Sequence, residues 1–233
     1  MGTEPSGRAK RPCRLFIFDL DGTLIDSQAD LVTSLNLALA KLGHETLSSG
    51  RIGGFVGEGV QKLIERALRA VTGREPGEES VQEATRAYME EYSHHLLEAT
   101  HLRDHAREAL DALSGAWCAV VTNKPERFAK SILDGLGIGG RFAVVLGGDS
   151  VEHRKPEPEA LFKAMEFCGT TPAETAMIGD SLTDIDAGKA AGAMTCALLG
   201  GFRPDEELRG AGSDFVIGDL IELPDCFIPV PAR

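Results

Sequence analysis

Residues 16–27 read FIFDLDGTLIDS: the apolar run Leu15–Phe18 delivers two aspartates, Asp19 and Asp21, separated by a single leucine, and the chain then turns through Gly22-Thr23. A short, wholly apolar run is the pattern of a strand buried on both faces of a parallel sheet. Two carboxylates at the tip of such a strand repel each other, which is tolerable only where a cation or a phosphorylated group sits between them. The stretch thus predicts a sheet and, at the strand's end, the place where chemistry occurs.

Further short apolar runs follow at Trp117–Val121, Ala143–Leu146, Thr175–Ile178, Met194–Leu198 and Phe215–Ile217. Helical periodicity fills the gaps between them, first as Phe128, Ile132, Leu133, Leu136, then as Leu161, Ala164, Met165, Cys168, then as Ile185, Ala187, Ala190, Ala191. Strands alternating with helices imply right-handed crossovers, hence an α/β fold with a doubly wound parallel sheet, a Rossmann-like core. Thr171-Pro172-Ala173-Glu174 has the form of a capping box, and Pro156 after Lys155 marks a second expected helix start.

Between the first run and the second no strand-like run occurs. Instead three helical patterns appear: Leu31, Val32, Leu35, Leu39, Leu42; Val60, Leu63, Ile64, Ala67, Leu68; and Val81, Ala84, Tyr88, Tyr92, Leu96. Together they are too long for a loop and too short for a typical independent domain. The expectation is a helical cap, residues 26–98, inserted after the first strand of a core formed by residues 1–25 and 99–233.

The formal charge of −12, from 24 Lys+Arg against 36 Asp+Glu, repels nucleic acid and anionic lipid. No apolar stretch is long enough to span a membrane. Five scattered cysteines without metal-binding spacing fit a reduced compartment, and the chain reads as cytoplasmic with a leader of about ten disordered residues. The sequence leaves the oligomeric state open.

In a parallel sheet the carboxyl ends of the strands share one edge, where ligands bind. Those ends carry Asp19 and Asp21, then Thr122-Asn123, then Lys155 in the loop after the third run, then Gly179-Asp180-Ser181 with Asp184. An all-oxygen acidic set suits Mg²⁺ better than zinc or copper, with Asp19 and Asp180 as direct ligands. Thr122, Lys155 and the backbone N–H groups after Asp19 then suit a phosphoryl group, with Asp19 placed to attack phosphorus and Asp21 to exchange protons with the leaving oxygen and with water. Each element alone has an ordinary explanation: aspartates form turns, Thr and Asn end strands, most lysines are solvated, and Gly179-Asp180-Ser181 suits the N-terminal cap of a helix, a reading that the second acid at Asp184 tilts towards chemistry. Their order along one chain favours the chemical reading.

The stretches DLDGTLIDS, VVTNKP, GGDSVEHRKPEP and IGDSLTDIDAGKAAG resemble, in order and spacing, the four motifs of the haloacid dehalogenase-like hydrolases. The resemblance implies Mg²⁺ dependence and an aspartyl-phosphate route. It implies Asp19 as nucleophile and metal ligand, Asp21 as acid/base and as a metal ligand through its backbone carbonyl, Thr122, Asn123 and Lys155 at the phosphate, Asp180 at the metal, and Asp184 behind it. RIGGFVGEGVQKLIERAL, residues 51–68, looks like the cap segment of the phosphoglycolate phosphatases, and LRDHA stands where those relatives tend to carry a Pro-Gly-Val turn. Arg51, Gly57 and Glu58 are the cap residues expected over the substrate, a small phosphorylated metabolite with phosphoglycolate as first candidate. A phosphomutase of the same family and, in a different class, a receiver-like phosphorylatable switch are the alternatives; the helical insertion argues against the second. His94, His95, His101 and His105 include an i, i+4 pair but lack acidic or thiol partners at metal-binding spacing, so structural or surface roles are expected.

Overall fold

The computed structural model describes residues 9–232. The chain opens with β1 (Arg11–Cys13), β2 (Leu15–Phe18) and β3 (Ile25–Asp26). Four helices follow, α1 (Gln28–Lys41), α2 (Ser49–Gly53), α3 (Val60–Thr72) and α4 (Glu78–His94), and the chain returns through β4 (His101–Leu102). The rest alternates: α5 (Ala106–Ala112), β5 (Trp117–Val121), α6 (Glu126–Gly135), β6 (Val144–Leu146), α7 (Glu159–Cys168), β7 (Thr175–Gly179), α8 (Leu182–Ala190), β8 (Met194–Leu198), α9 (Asp205–Arg209) and β9 (Phe215–Ile217), before α10 (Leu223–Cys226) and β10 (Phe227–Pro229).

Six parallel strands form the central sheet in the order β6-β5-β2-β7-β8-β9. All four residues of β2 are buried, as its composition requires, and they alternate between two cores. Phe16 and Phe18 join the cluster holding Ala109 and Leu110 of α5 and Ile132 and Leu133 of α6. Leu15 and Ile17 join the cluster holding Leu161, Ala164 and Met165 of α7 and Ala187 of α8. Helices therefore cover both faces, the doubly wound α/β fold expected from the alternation. From β2 the chain order runs outward through β5 and β6 on one side and through β7, β8 and β9 on the other. The reversal leaves a crevice at the carboxyl end of β2, the usual place for a ligand in an open α/β sheet.

Helices α1 to α4 have their own apolar cluster, built from Leu31, Leu35 and Leu39, from Leu63, Ile64 and Leu68, and from Val81, Tyr88 and Tyr92. Phe128 of α6 enters it from the sheet side, its ring 5.4 Å edge-on from that of Tyr92. Both ends of this segment are tied together. Antiparallel pairing joins Ile25 to Leu102 and Asp26 to His101, and the buried carboxylate of Asp30 accepts from the Ala99 and Thr100 N–H groups and from the Thr100 hydroxyl at 2.7 Å.

Several sequence expectations are modified. The capping box at Thr171–Glu174 is present, but it closes a single 3₁₀ turn ahead of β7 and starts no α-helix. Helix α7 begins at Glu159, beyond Pro156. The short parallel pair β1–β10 went unread, because a proline in each strand breaks its apolar pattern. Most of the expected leader, residues 1–8, lies outside the described residues. All five cysteines are free and buried.

Candidate active site

Asp19 caps β2, and its N–H donates to the Ile178 carbonyl of β7 at 2.9 Å. The turn after it winds tightly: the N–H groups of Thr23, Leu24 and Ile25 all point back to the Leu20 carbonyl. Gly22, at φ +83°, makes that winding accessible. It also leaves room for Asp180, whose Oδ2 would lie 2.3 Å from a Cβ at position 22 and 2.3 Å from one at position 201. Asp180 accepts from the Thr23 hydroxyl at 2.8 Å and from the Phe202 N–H at 2.9 Å, which fixes its carboxylate between two glycines.

Asp184 folds back over the start of α8, accepting from the N–H and hydroxyl of Ser181. Gly179 permits this approach, since a Cβ there would stand 2.3 Å from the Asp184 side chain. The buried ammonium of Lys155 bridges the two carboxylates, donating to Asp19 Oδ1 at 2.9 Å and to Asp184 Oδ1 at 2.6 Å. Carboxylate oxygens of Asp19, Asp180 and Asp184 all lie within 4.8 Å of one another.

The electrostatics of this cluster are unbalanced. Burial pushes the Asp19 carboxyl up to about 7, with Lys155 opposing the rise and the charges of Asp184 and Asp180 adding to it. Burial, then the charge of Asp184, pushes Asp180 up to about 6, against the N–H of Phe202 and the hydroxyl of Thr23. For Lys155, burial favours the neutral amine, yet Asp184 and Asp19 together hold it above its ordinary value. Three carboxylates against one ammonium leave a formal excess of two negative charges in a buried, all-oxygen site. A hard divalent cation matches that charge and that donor type. The residues present therefore fit a divalent metal.

Asp21 takes no part in this triad through its side chain. Its carboxylate is bound by Lys124 and Ser27 instead, and Asp184 stands in the cluster where the sequence reading placed it behind the metal. Asp19, Asp21, Thr122, Asn123 and Lys124 line one small cavity of about 50 Å³. Its roof is apolar and comes from the helical segment: Leu31, Val56, Val60, Leu63, Tyr88 and Tyr92. Asn123 crosses the gap, donating to the Gly57 carbonyl and the Lys155 carbonyl, both at 3.0 Å.

Of the three expected cap contacts, only Gly57 lines the cavity. Arg51 is exposed on α2. Glu58 is engaged by Arg66, with Arg203 3.7 Å away. The histidines form no metal cluster among the described residues: His95 pairs with Glu98, His101 with the Ala99 carbonyl, and His105 with Asp219. Lys124 was missed, since a lysine following a strand reads as solvated; its place two residues after Thr122 was the available signal.

The family model of the haloacid dehalogenase-like hydrolases matches residues 13–192. The chain belongs to this family. It is 36% identical to the phosphoglycolate phosphatase of Pseudomonas putida over 222 residues, 93% of this chain and 80% of that one. It is 36% identical to the phosphoglycolate phosphatase of Colwellia psychrerythraea over 213 residues, covering 90% and 94%. The crystal structure of a predicted phosphoglycolate phosphatase from Haemophilus somnus superposes with a TM-score of 0.86 at 30% identity, over 91% of this chain and 97% of the other. This haloacid dehalogenase-like hydrolase is thus an enzyme of the phosphatase class, with a buried acidic triad suited to a divalent metal. Among the described residues, no helix is long and apolar enough to cross a membrane.

Proposed function

We propose that this hydrolase cleaves small phosphomonoesters through an aspartyl-phosphate on Asp19, with Mg²⁺ as its metal and phosphoglycolate as the first candidate substrate. The observation that carries the reading is the sharing of one cavity by Asp19, Asp21 and Thr122 while Lys155 holds Asp19 from behind. The Asp19 carboxylate attacks phosphorus and the bond to the ester oxygen breaks. Asp21 supplies the proton that the departing alkoxide needs, then takes one from the water that cleaves the acyl phosphate and releases inorganic phosphate. The Thr122 hydroxyl, the Asn123 main-chain N–H and Lys155 serve the phosphoryl oxygens. Asp19 and Asp180, with the Asp21 backbone carbonyl, would hold the metal, and Asp184 would orient Lys155. When bound, Mg²⁺ offsets negative charge on the phosphoryl group.

The cavity supports a small substrate. About 50 Å³ under an apolar roof admits a leaving group of a few atoms, and residues 26–98 act as the cap that closes over it. The names of the relatives make phosphoglycolate the first compound to test. Phosphate release from a panel of small phosphorylated metabolites, with Mg²⁺ and with EDTA, is the decisive assay for wild type and Asp19→Asn. Activity that survives Asp19→Asn would overturn the nucleophile, and activity indifferent to EDTA would overturn the metal.

A further inference from the structure

Lys124 remains unused by the roles above, and its surroundings are unusual for a lysine. Its N–H donates to the Thr122 hydroxyl at 3.2 Å, which fixes the turn leaving β5. Its side chain is only 4% exposed. The ammonium donates to both carboxylate oxygens of Asp21, at 2.7 and 2.8 Å, while the Ser27 hydroxyl donates to Oδ1 at 2.5 Å. On its other side it lies 4.8 Å from the centre of the Tyr92 ring, which is stacked on Tyr88 at 5.6 Å.

Burying an ammonium is costly unless it is paired and hydrogen-bonded, so this lysine stays where it is because of Asp21 and the aromatic face. The reverse also holds. A carboxylate gripped at both oxygens has one orientation, and Asp21 is gripped on the wall of the cavity that it shares with Asp19. Proton transfer needs the donor within hydrogen-bond reach of the reacting oxygen, and a misplacement of about 1 Å costs on the order of 10²-fold in rate. We propose that Lys124, clamped between Asp21 and the ring of Tyr92, is a positioning residue that aims the Asp21 carboxylate at the leaving oxygen. The inference rests on the acid/base reading of Asp21.

The test is dependence on the leaving group. An alkoxide needs a proton as it departs and a nitrophenolate hardly does. In the full-length protein with saturating Mg²⁺, kcat/KM is measured for phosphoglycolate and for 4-nitrophenyl phosphate in wild type, Lys124→Met, Asp21→Asn and the double variant. Lys124→Met keeps an unbranched apolar stem under Tyr92 and removes the ammonium. It is expected to lose about 10²-fold on the alkyl ester and less than about 5-fold on the aryl ester, and the double variant is expected to lose no more than Asp21→Asn alone. Equal losses on both esters, or a double variant that loses the product of the single losses, would reduce Lys124 to a structural role and overturn the proposal. If Asp21→Asn itself lowers both esters equally, the acid/base reading fails; if Asp21→Asn splits the two esters and Lys124→Met does not, only the positioning role fails. Should Lys124→Met lack native circular dichroism, Lys124→Gln, which retains a neutral donor group, is expected to show the same split at reduced size, and its absence is equally fatal.

Discussion

Replacing Asp180 by Asn should stabilise the metal-free protein while destroying its response to metal. Asp180 is buried, and its carboxyl moves from 3.8 to about 6 because burial, then Asp184, disfavours the charged form. The folded value lies above the unfolded one, so the folded state retains a proton that the unfolded state has released. Stability is therefore full below about 4 and falls as pH rises towards and through 6. By linkage the charged form costs the fold on the order of 3 kcal/mol at pH 8 and about 1 kcal/mol at pH 4.5. Asparagine avoids this cost at either pH and keeps both contacts: its carbonyl accepts from Phe202 N–H and its amide donates to the Thr23 hydroxyl. At about 2–4 °C per kcal/mol for a chain of this size, Asp180→Asn in EDTA should melt about 6–12 °C above wild type at pH 8 and only about 2–4 °C above it at pH 4.5. Added Mg²⁺ should raise the wild-type midpoint at pH 8 and leave the variant almost unmoved. Calorimetry at the two pH values, with EDTA and with Mg²⁺, reads all of this. A variant that melts below wild type at pH 8 in EDTA, or gains equally at both pH values, would refute the account of a cluster destabilised by its own charge.

Three further outcomes follow from the geometry. Gly201→Ala places a Cβ 2.3 Å from Asp180 Oδ2, so activity should fall at least about 10²-fold, since active-site displacements of about 1 Å carry that cost; steady-state kinetics at saturating Mg²⁺ checks it. Arg51→Ala should change kcat/KM for phosphoglycolate by less than about 2-fold, because an exposed side chain outside the cavity has no contact to lose. Asn123→Ala removes the donor to the Gly57 carbonyl and should raise KM more than it lowers kcat, with a stability loss of about 1 kcal/mol by denaturant titration.

Much of the core was legible because a parallel strand buried on both faces is a short apolar run, and its end is marked by the polar residue that follows. Four of the six central strands, Leu15–Phe18, Trp117–Val121, Met194–Leu198 and Phe215–Ile217, have the limits read from the chain, and the other two differ by one residue. Asp19, Thr122, Asp180 and Asp184 stand at such ends or one helical turn beyond, which is why local pattern located them. What could not be read depends on partners distant in the chain. Lys124 differs from a solvated lysine through Asp21, 103 residues away, and through the ring of Tyr92, and Asp184 enters the acidic cluster because Gly179 lets it fold inward. Arg51 was expected over the substrate because residues 51–68 look like the cap segment of the phosphoglycolate phosphatases, but it is exposed, and the link across the gap comes from Asn123 on the core. At LRDHA, His105 takes φ +57°, a conformation glycine adopts more readily, at the turn where relatives tend to carry Pro-Gly-Val; its ring bonds Asp219 at 2.7 Å, and Arg103 reaches the Gly22 and Gly200 carbonyls.

The pairing of Asp26 with His101 means that the chain departs from the sheet and comes back to it through adjacent doorposts. An insert whose ends meet at that spacing can be exchanged without shifting the strand register, so long as it keeps partners equivalent to Ser27 and Tyr92 for Asp21 and Lys124. Exchange of helical inserts at this doorway, with those two contacts retained, is accordingly the place to seek altered ester preference by recombination or by engineering.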